Sequence, residues 1–467
     1  MRLLLFILAL LAIQSTRAQS LPRGEIIDSV FCDEYPEQSY ALYLPTKYDS
    51  SRSYPLIIIF DPAARGILPV RKFQPAAEEL GYILIGSNNS KNGSWDLAFE
   101  AGEAMFNDAM LKYKIDPKRI YTSGFSGGSR VASAVASLAG QIRGVIACGA
   151  GFASVDDYQL KRDSKVHYVA LIGDKDMNYQ EHRLLQQQLD ELNISNEKLV
   201  FPAGHQWPPS AYLLEAINWL ELQGLKEGLS ISPDFFIERA FTQKKARADS
   251  VLQGGNYILA HQIYSGLITD FNAYVDIENL QQTRDEIKNS KEYSRLLKRE
   301  KKINDKELTI RREIGEAFTE LHFTKLKVGE GSEFKDMNWW QTKVDEIKRS
   351  AKKDDFLTRN MALRLLNMIW ARCAESSFSY MNSKDYETAF LLNQIWLYTE
   401  PNLWGKWNMA QILAYMDDTE FFTYLQEVVE KSQSITVRSI KKQPAFQDYL
   451  AHEKMILLIE QIEARKN

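Results

Sequence analysis

Residues 119–131 read Arg-Ile-Tyr-Thr-Ser-Gly-Phe-Ser-Gly-Gly-Ser-Arg-Val, and this stretch decides the fold of the first half of the chain. Its first five residues are rich in β-branched and aromatic side chains, which predicts a strand over 119–123. From residue 127 an alanine- and serine-rich run continues to residue 138 and predicts a helix. The pattern Gly-x-Ser-x-Gly, residues 124–128, therefore occupies a strand-to-helix turn.

The turn gives the central serine, Ser126, a chemical meaning that the five-residue pattern alone does not have. A serine in such a turn is held in a strained backbone conformation and exposed at the edge of the sheet, before a helix N-terminus. Its glycine neighbours lack side chains that would collide with the strand and the helix. We predict Ser126 as a nucleophile and the backbone amide of Gly127 as one donor to an oxyanion.

A serine nucleophile needs a base and an acid that orients the base, in the chain order serine, acid, histidine. The chain has six histidines. Only His205 lies in a loop that directly follows the last predicted strand, so we predict it as the base. The acid should follow the predicted strand 166–172, where Asp174 and Asp176 are both available. We predict Asp176, because its position leaves a turn to bring the carboxylate toward the histidine, and keep Asp174 as the alternative.

The second oxyanion donor is expected in the loop after the buried apolar run 55–60. Pro62 has no N–H, so the sequence predicts the amide of Ala63. Arg65, in the same loop, is predicted to meet either an anionic substrate group or an acidic side chain. Trp95 and Trp207 are candidate substrate-lining residues, with packing against the core as the alternative for both.

The composition changes near residue 225. Gly and Pro number 27 in the first 225 residues and 11 in the remaining 242, whereas charged residues number 46 and 72. Short strands need turns and long helices exclude Gly and Pro, so we predict an α/β domain followed by a helical one. A hydrophobic content of 45%, a net charge of −4 and three cysteines exclude a disordered chain, a disulfide scaffold and a strongly basic nucleic-acid binder. We expect no metal or cofactor.

Several segments together resemble the α/β-hydrolase superfamily: residues 54–61, 115–121, 124–128, 173–176 and 204–208. Within it they are most similar to the exported esterases grouped with polyhydroxybutyrate depolymerases and feruloyl or acetyl-xylan esterases. The resemblance covers about residues 35–225 and implies an α/β-hydrolase sheet with flanking helices. It also implies serine-ester hydrolysis by a triad of Ser126, Asp176 and His205. One departure is that those enzymes usually carry His-Gly where this chain has Asp61-Pro62.

The domain organisation follows from these patterns. Residues 1–18 combine a positive start, a short apolar run and a small residue, which predicts an export signal and a periplasmic or secreted product without a transmembrane segment. Residues 19–228 form the predicted catalytic domain. Residues 229–467 form the predicted all-α, helical-repeat-like domain, which resembles tetratricopeptide repeats around residues 385–401 and implies a surface for a protein or peptide partner.

The sequence therefore predicts an exported serine hydrolase that acts on a small ester or an esterified carbohydrate. Two alternatives remain open at this stage. One is a prolyl-oligopeptidase-like serine peptidase, since the same triad cleaves amides. The other is a non-catalytic, hydrolase-like module that binds a partner through its helical surface.

Overall fold

The computed structural model describes residues 22–229, 235–323 and 335–465 of the chain. The predicted export signal, residues 1–18, lies outside the described residues. The described residues form two compact units. The first contains the chain up to Leu171 together with Glu181–Leu199 and Trp207–Ala240. The second contains the chain from Phe241 onward together with two short segments, Ile172–Gln180 and Val200–Gln206.

The core of the first half is an eight-stranded sheet with the strand order β1-β2-β4-β3-β5-β6-β7-β8. The first two strands run antiparallel to their neighbours, and the pairs from β3–β4 through β6–β7 are parallel. The strands are Ile26–Phe31, Ser39–Tyr43, Tyr54–Phe60, Ile83–Ser87, Ile115–Phe125, Ile142–Cys148, His167–Gly173 and Asn196–Phe201. An α-helix separates each pair of successive parallel strands from β3 to β6, and a loop with a short 3-10 helix, Asp156–Tyr158, connects β6 to β7, so the connections are the crossovers that parallel strands require. This topology is that of the α/β-hydrolase fold and confirms the predicted fold class.

The central strands are buried along their whole length, as expected for parallel strands covered on both faces. All seven residues of β3 are buried. The helices of this half are α1 (Ile67–Leu80), α2 (Trp95–Lys112), α3 (Gly127–Leu138), α4 (Tyr179–Glu191) and α5 (Ser210–Lys226). Helix α3 packs against β3, β5 and β6, which places the start of this helix directly behind the predicted nucleophile.

The second half is helical, as predicted. Its helices are α6 (Phe236–Gln253), α7 (Tyr257–Phe271), α8 (Glu278–Asn289), α9 (Lys291–Phe323), α10 (Met337–Ala351), α11 (Phe356–Asn382), α12 (Tyr386–Thr399), α13 (Leu403–Tyr415), α14 (Phe421–Lys431), α15 (Val437–Lys441) and α16 (Glu453–Ala464). Several begin at an Asp or Asn whose side chain accepts from a backbone amide of the first turn. Such caps satisfy amides that a helix start leaves unpaired.

Successive helices of this half pack against one another. Helix α11 packs on both α10 and α12, and α13 on both α12 and α14. One large core forms around Trp340 and Trp396, and a second around Phe421 and Phe446. Stacking of neighbouring helices is what a repeat array requires, but the tetratricopeptide assignment itself stays a prediction.

The three cysteines, Cys32, Cys148 and Cys373, are buried and unpaired. Burial raises the pKa of Cys32 to about 11 and raises the pKa of each of the other two thiols further. No helix in the described parts of the chain is both long enough and apolar enough to span a membrane.

Candidate active site

Ser126 lies at the sharp turn between β5 and α3. Its backbone has φ 53° and ψ −120°, a combination that non-glycine residues rarely adopt and that costs on the order of 1–3 kcal/mol. Its amide donates to the carbonyl of Cys148 at 2.8 Å. The turn therefore has the strained conformation that the sequence predicts for a nucleophile between strand and helix.

The glycines on either side of Ser126 are required by backbone packing. A Cβ atom on Gly124 would lie 2.1 Å from the carbonyl oxygen of Gly128, and one on Gly128 would lie 2.2 Å from the carbonyl oxygen of Phe60. Both obstacles are backbone atoms that a rotamer change cannot move. Only glycine at both positions lets the helix start this close to the end of the strand.

The structure brings together Asp176 and His205, the residues predicted as acid and base. Both carboxylate oxygens of Asp176 lie 2.9 Å from Nδ1 of His205. The Asp176 side chain is fully buried, while 17% of the His205 side chain is exposed. Oδ1 of Asp176 also accepts from the amide of Asn178 at 2.8 Å. The carboxylate engages Nδ1, so Nε2 is the imidazole nitrogen that would carry out proton transfer.

The backbone holds the two loops of this pair together. The amide of Lys175 donates to the carbonyl of Ala203 at 2.9 Å, and the amide of Asp174 donates to the carbonyl of Phe201 at 2.8 Å. A Cβ atom on Gly173 would lie 2.3 Å from the Ala203 carbonyl oxygen. Glycine at the end of β7 therefore allows the acid-bearing loop and the histidine-bearing loop to approach each other.

The alternative acid, Asp174, has different partners. Its Oδ2 accepts from Nδ2 of Asn360 at 2.9 Å, and its Oδ1 lies 3.6 Å from the ammonium of Lys175. Burial is the largest influence on this carboxyl and raises its pKa, against the opposing effect of Lys175. Asp174 is therefore paired with Asn360 and Lys175, and Asp176 is the carboxylate bonded to His205.

In the loop after β3, Asp61 is the centre of a hydrogen-bond cluster. Its carboxylate accepts from Nε and Nη2 of Arg65 at 2.8 and 3.0 Å, and from the indole N–H of Trp207 at 2.8 Å. Burial alone raises the pKa of Asp61, but the bonds from Arg65, Trp207 and Ala63 outweigh it and hold the pKa below its ordinary value. The carboxylate therefore stays ionised and braces the loop.

Three residues singled out in the sequence belong to this cluster. The amide of Ala63, predicted to face an oxyanion, instead donates to Oδ1 of Asp61 at 2.9 Å. Arg65 makes an ion pair with Asp61, the second of the two roles predicted for it. Trp207 is buried and packs against Phe73 and Phe125, so its contribution is to packing and to Asp61.

A cleft of about 120 Å³ opens beside the nucleophile turn. Trp95, predicted as a lining residue, contributes to its wall, and its ring also stacks on Phe99. Asn92 lies at the cleft as well, and a Cβ atom on Gly127 would meet its Oδ1 at 1.8 Å. Asn92 is exposed, and no pattern in the sequence marks it as a residue of the site.

The sequence predicts no metal ligand at the site. In residues 22–229, 235–323 and 335–465, no group of three or more His, Cys, Asp or Glu residues is arranged to hold a metal ion.

Comparison with known proteins gives structural likeness only. No protein-family model matches the sequence, and no curated protein sequence is significantly similar to it. Among solved structures, an S-formylglutathione hydrolase of Staphylococcus aureus is 14% identical over 43% of this chain and 98% of its own, with a TM-score of 0.35. Fluorophosphonate-binding serine hydrolase F of the same organism is 13% identical over 43% and 99%, with a TM-score of 0.34. A ferulic acid esterase of Anaeromyces mucronatus is 14% identical over 39% and 84%, with a TM-score of 0.32.

Proposed function

We propose that the protein is a serine hydrolase that cleaves carboxylic esters through an acyl-enzyme. The observation that carries the proposal is the strained Ser126 turn, which is closed by two glycines that no larger residue can replace. The buried Asp176–His205 pair supports it independently, since it supplies the oriented base that a serine nucleophile needs. Ser126 follows β5, and the pair follows β7 and β8, strands of the same sheet.

In this mechanism Oγ of Ser126 attacks the ester carbonyl carbon while Nε2 of His205 takes the hydroxyl proton. Asp176 holds the imidazole through Nδ1 and stabilises the positive charge that forms on it. The tetrahedral intermediate then collapses, and the imidazolium gives its proton to the departing alkoxide. Water repeats the sequence on the acyl-enzyme, which releases the carboxylic acid and restores Ser126.

The negative oxygen of the intermediate needs two donors. The first is the amide of Gly127, which is at the first position of a helix, where an amide has no partner within the helix. Because the Ala63 amide is bonded to Asp61, we assign the second donor to the side-chain amide of Asn92 beside Gly127. Asn92→Ala is then expected to lower kcat by about 10²-fold, whereas Ser94→Ala, at the same cleft, leaves it within about threefold of wild type.

A fluorophosphonate probe tests the proposal directly, because it labels an activated serine covalently. Wild type should be labelled and should hydrolyse p-nitrophenyl acetate or butyrate, and Ser126→Ala should do neither. The melting temperatures of both proteins serve as the control for folding. A folded wild type that is not labelled, or a Ser126→Ala variant labelled as fast as wild type, contradicts the proposal and favours a non-catalytic binding module.

The substrate class is a separate part of the proposal: a small ester or an esterified carbohydrate. A panel of p-nitrophenyl esters, feruloylated and acetylated sugars, and aminoacyl-p-nitroanilides divides esterase from peptidase. We expect kcat/KM on the best ester to exceed that on any anilide by at least about 10²-fold. The reverse preference supports a prolyl-oligopeptidase-like peptidase with the same triad.

Export and a binding role of the helical half complete the proposal. We propose that residues 1–18 direct export and are removed, which N-terminal sequencing of the product from the extracytoplasmic fraction tests. We also propose that the helical half, residues 229–467, carries a tetratricopeptide-like surface for a protein or peptide. This role is tested with a full-length Ser126→Ala variant that is immobilised to retain the partner. Substitution of exposed residues such as Trp404 should then abolish retention.

A further inference from the structure

The loop that carries Asp176 forms several hydrogen bonds with side chains that project from helices. We call residues 174–180 the acid loop; it belongs to the second compact unit, together with the helices from Phe241 onward. Nη1 of Arg364 donates to the carbonyl of Asp174 at 2.9 Å, and Nδ2 of Asn367 to that of Lys175 at 3.0 Å. Nη2 of Arg311 donates to the carbonyl of Met177 at 2.7 Å. Three backbone carbonyls around Asp176 therefore accept from side chains of α9 and α11.

Two side chains of the acid loop also form hydrogen bonds with side chains of α9 and α11. Asp174 accepts from Asn360 of α11 at 2.9 Å. Nε2 of Gln180 donates to Oε2 of Glu307 at 2.7 Å and to Oδ1 of Asn304 at 3.0 Å, both on α9. The guanidinium of Arg364 also lies over the ring of Tyr179, at 4.6 Å from its centroid. The bonded groups span the acid loop from its first residue to its last.

A buried ion pair fixes the donors themselves. Glu307 is fully buried and accepts from Nε of Arg364 at 3.1 Å and from Nη2 of Arg311 at 3.0 Å. Burial alone raises the pKa of Glu307, but the hydrogen bonds and charge of Arg364, with that of Arg311, lower it below its ordinary value. Each arginine is thus held by Glu307 on one side and by an acid-loop carbonyl on the other.

The spacing of these residues is that of two helix faces. Residues 360, 364 and 367 recur at i, i+4 and i+7 on α11, and residues 304, 307 and 311 recur at i, i+3 and i+7 on α9, so each set projects from one side. Well-paired buried polar clusters fix a single local geometry. A histidine–carboxylate pair needs that geometry, since a displacement of about 1 Å can cost on the order of 10²-fold in rate.

We infer that Asn360, Arg364 and Asn367 of α11, with Arg311 of α9, are positioning residues for catalysis. They set the place of the Asp176 carboxylate at His205, so the helices of the second unit are a structural support of the Asp176–His205 pair. This inference rests on the proposed function, because it assigns a role in the same triad. In this role each of the four residues acts through the acid loop.

The test uses the full-length chain and removes two donors while it leaves the Glu307 ion pair intact. In Asn360→Ala/Asn367→Ala, the bonds to Asp174 and Lys175 are lost. We expect kcat for p-nitrophenyl butyrate to fall about 10–100-fold with KM changed less than about threefold, because the cleft beside Gly127 is untouched. Arg364→Met removes more of the cluster, but it leaves Glu307 without its main partner, so the asparagine variants carry the test.

A double-mutant cycle separates positioning from loss of stability. If the two asparagines act through Asp176, the same substitutions in an Asp176→Asn background should change the residual rate by less than about twofold. The matched control is Asn408→Ala on α13, another buried asparagine, which bonds to Asn393 and Ser377 away from the acid loop. It should lower the melting temperature and leave kcat within about twofold of wild type.

The outcomes are distinct. A fall in kcat that disappears in the Asp176→Asn background supports the inference. A folded double variant with wild-type kcat overturns it, as does an equal fall in the Asp176→Asn background or in Asn408→Ala. If wild type itself neither hydrolyses esters nor reacts with fluorophosphonate, the proposed function is refuted, and the inference with it. If wild type does both and the double variant is unimpaired, only the inference is refuted.

Discussion

Replacing Asp176 with asparagine changes one atom of the side chain and should remove most of the activity. The carboxylate accepts from Nδ1 of His205 with both oxygens, each at 2.9 Å, and from the amide of Asn178 at Oδ1. Because the Asn178 amide needs an acceptor, the new side chain keeps its oxygen at Oδ1 and places its NH₂ group at the former Oδ2. That NH₂ group then lies beside a ring nitrogen that already carries a hydrogen.

The imidazole relieves this conflict by moving its proton from Nδ1 to Nε2. In that tautomer Nε2 can no longer accept the hydroxyl proton of the nucleophile. A triad with the wrong tautomer typically loses about 10⁴ in kcat, so we expect Asp176→Asn to lose about 10³–10⁴-fold. The loss of a negative charge beside the imidazolium acts in the same direction.

The matched control is Asp174→Asn, two residues away in the same loop. An asparagine there can still accept from Asn360 through its own oxygen, so the loop keeps that bond. We expect its kcat to stay within about tenfold of wild type. Neither change alters the volume of the side chain, and urea unfolding of both variants should confirm that they are folded.

The assay is steady-state hydrolysis of p-nitrophenyl butyrate, together with the rate of fluorophosphonate labelling. KM should change little in both variants, because neither aspartate lines the cleft beside Gly127. An Asp176→Asn variant with kcat within about tenfold of wild type would refute this reasoning. So would a larger loss in Asp174→Asn, which would make Asp174 the catalytic acid.

Three further predictions concern stability and the loop after β3. Gly124→Ala should lower the free energy of unfolding in urea by about 3 kcal/mol or more, since the new Cβ meets backbone atoms. The control, Gly140→Ala, has open space around it and should lower the free energy of unfolding by less than about 1 kcal/mol. Asp61→Asn should lower stability by about 1–3 kcal/mol and raise KM, as judged by urea unfolding and ester kinetics, because it weakens charge-assisted bonds. The pKa of Glu307 is lowered in the folded protein. Its carboxylate therefore contributes fully to the free energy of unfolding above about pH 4.3, the ordinary pKa of glutamate, and this contribution is lost as the pH falls through the folded pKa. Glu307→Gln should therefore lose less stability between about pH 6 and pH 3 than wild type does; an equal loss in both would contradict the assignment.

The sequence predicted the central strands well because their signal is local. The run 55–60 and the turn at Ser126 carry their own β-branched and glycine patterns, and the structure places β3, β5 and α3 within a few residues of the predicted bounds. Helix α3 matches its prediction at both ends. Parallel strands buried on both faces are continuous apolar runs, which is the pattern least dependent on the rest of the fold.

Elements with weak local patterns were missed or misplaced. Strand β1 contains Asp28 and Ser29 and lies at the sheet edge, where a strand need not be apolar. Helix α1 begins at Ile67 and contains prolines at 69 and 75, which weaken the local signal for a helix. The boundary between α8 and α9 also has no strong local signal: it lies at Ser290, which has extended backbone dihedrals.

The residues of the proposed site also divide into those with a local sequence signal and those without one. Order and spacing propose Ser126, Asp176 and His205, because each follows a strand end in the sequence, and the structure places Asp176 and His205 in contact. The bond from the Ala63 amide to Asp61 was not, since it depends on how a short loop folds back on its own side chain. The donors to the acid loop were also beyond sequence reasoning. Their only local trace is polar spacing on α9 and α11, which a solvated helix face produces equally well.

The distance along the chain between the acid loop and its donors affects how the protein is made. Asn360, Arg364 and Asn367 follow their partners in the acid loop by 186, 190 and 192 residues. At about 5–20 residues per second of synthesis, the acid loop precedes its donors by roughly 10–40 s. The sheet and the Ser126 turn can therefore form on a nascent chain in which Asp176, the proposed catalytic acid, is not yet fixed in place. Activity should appear only after the helical half has been synthesised and folded.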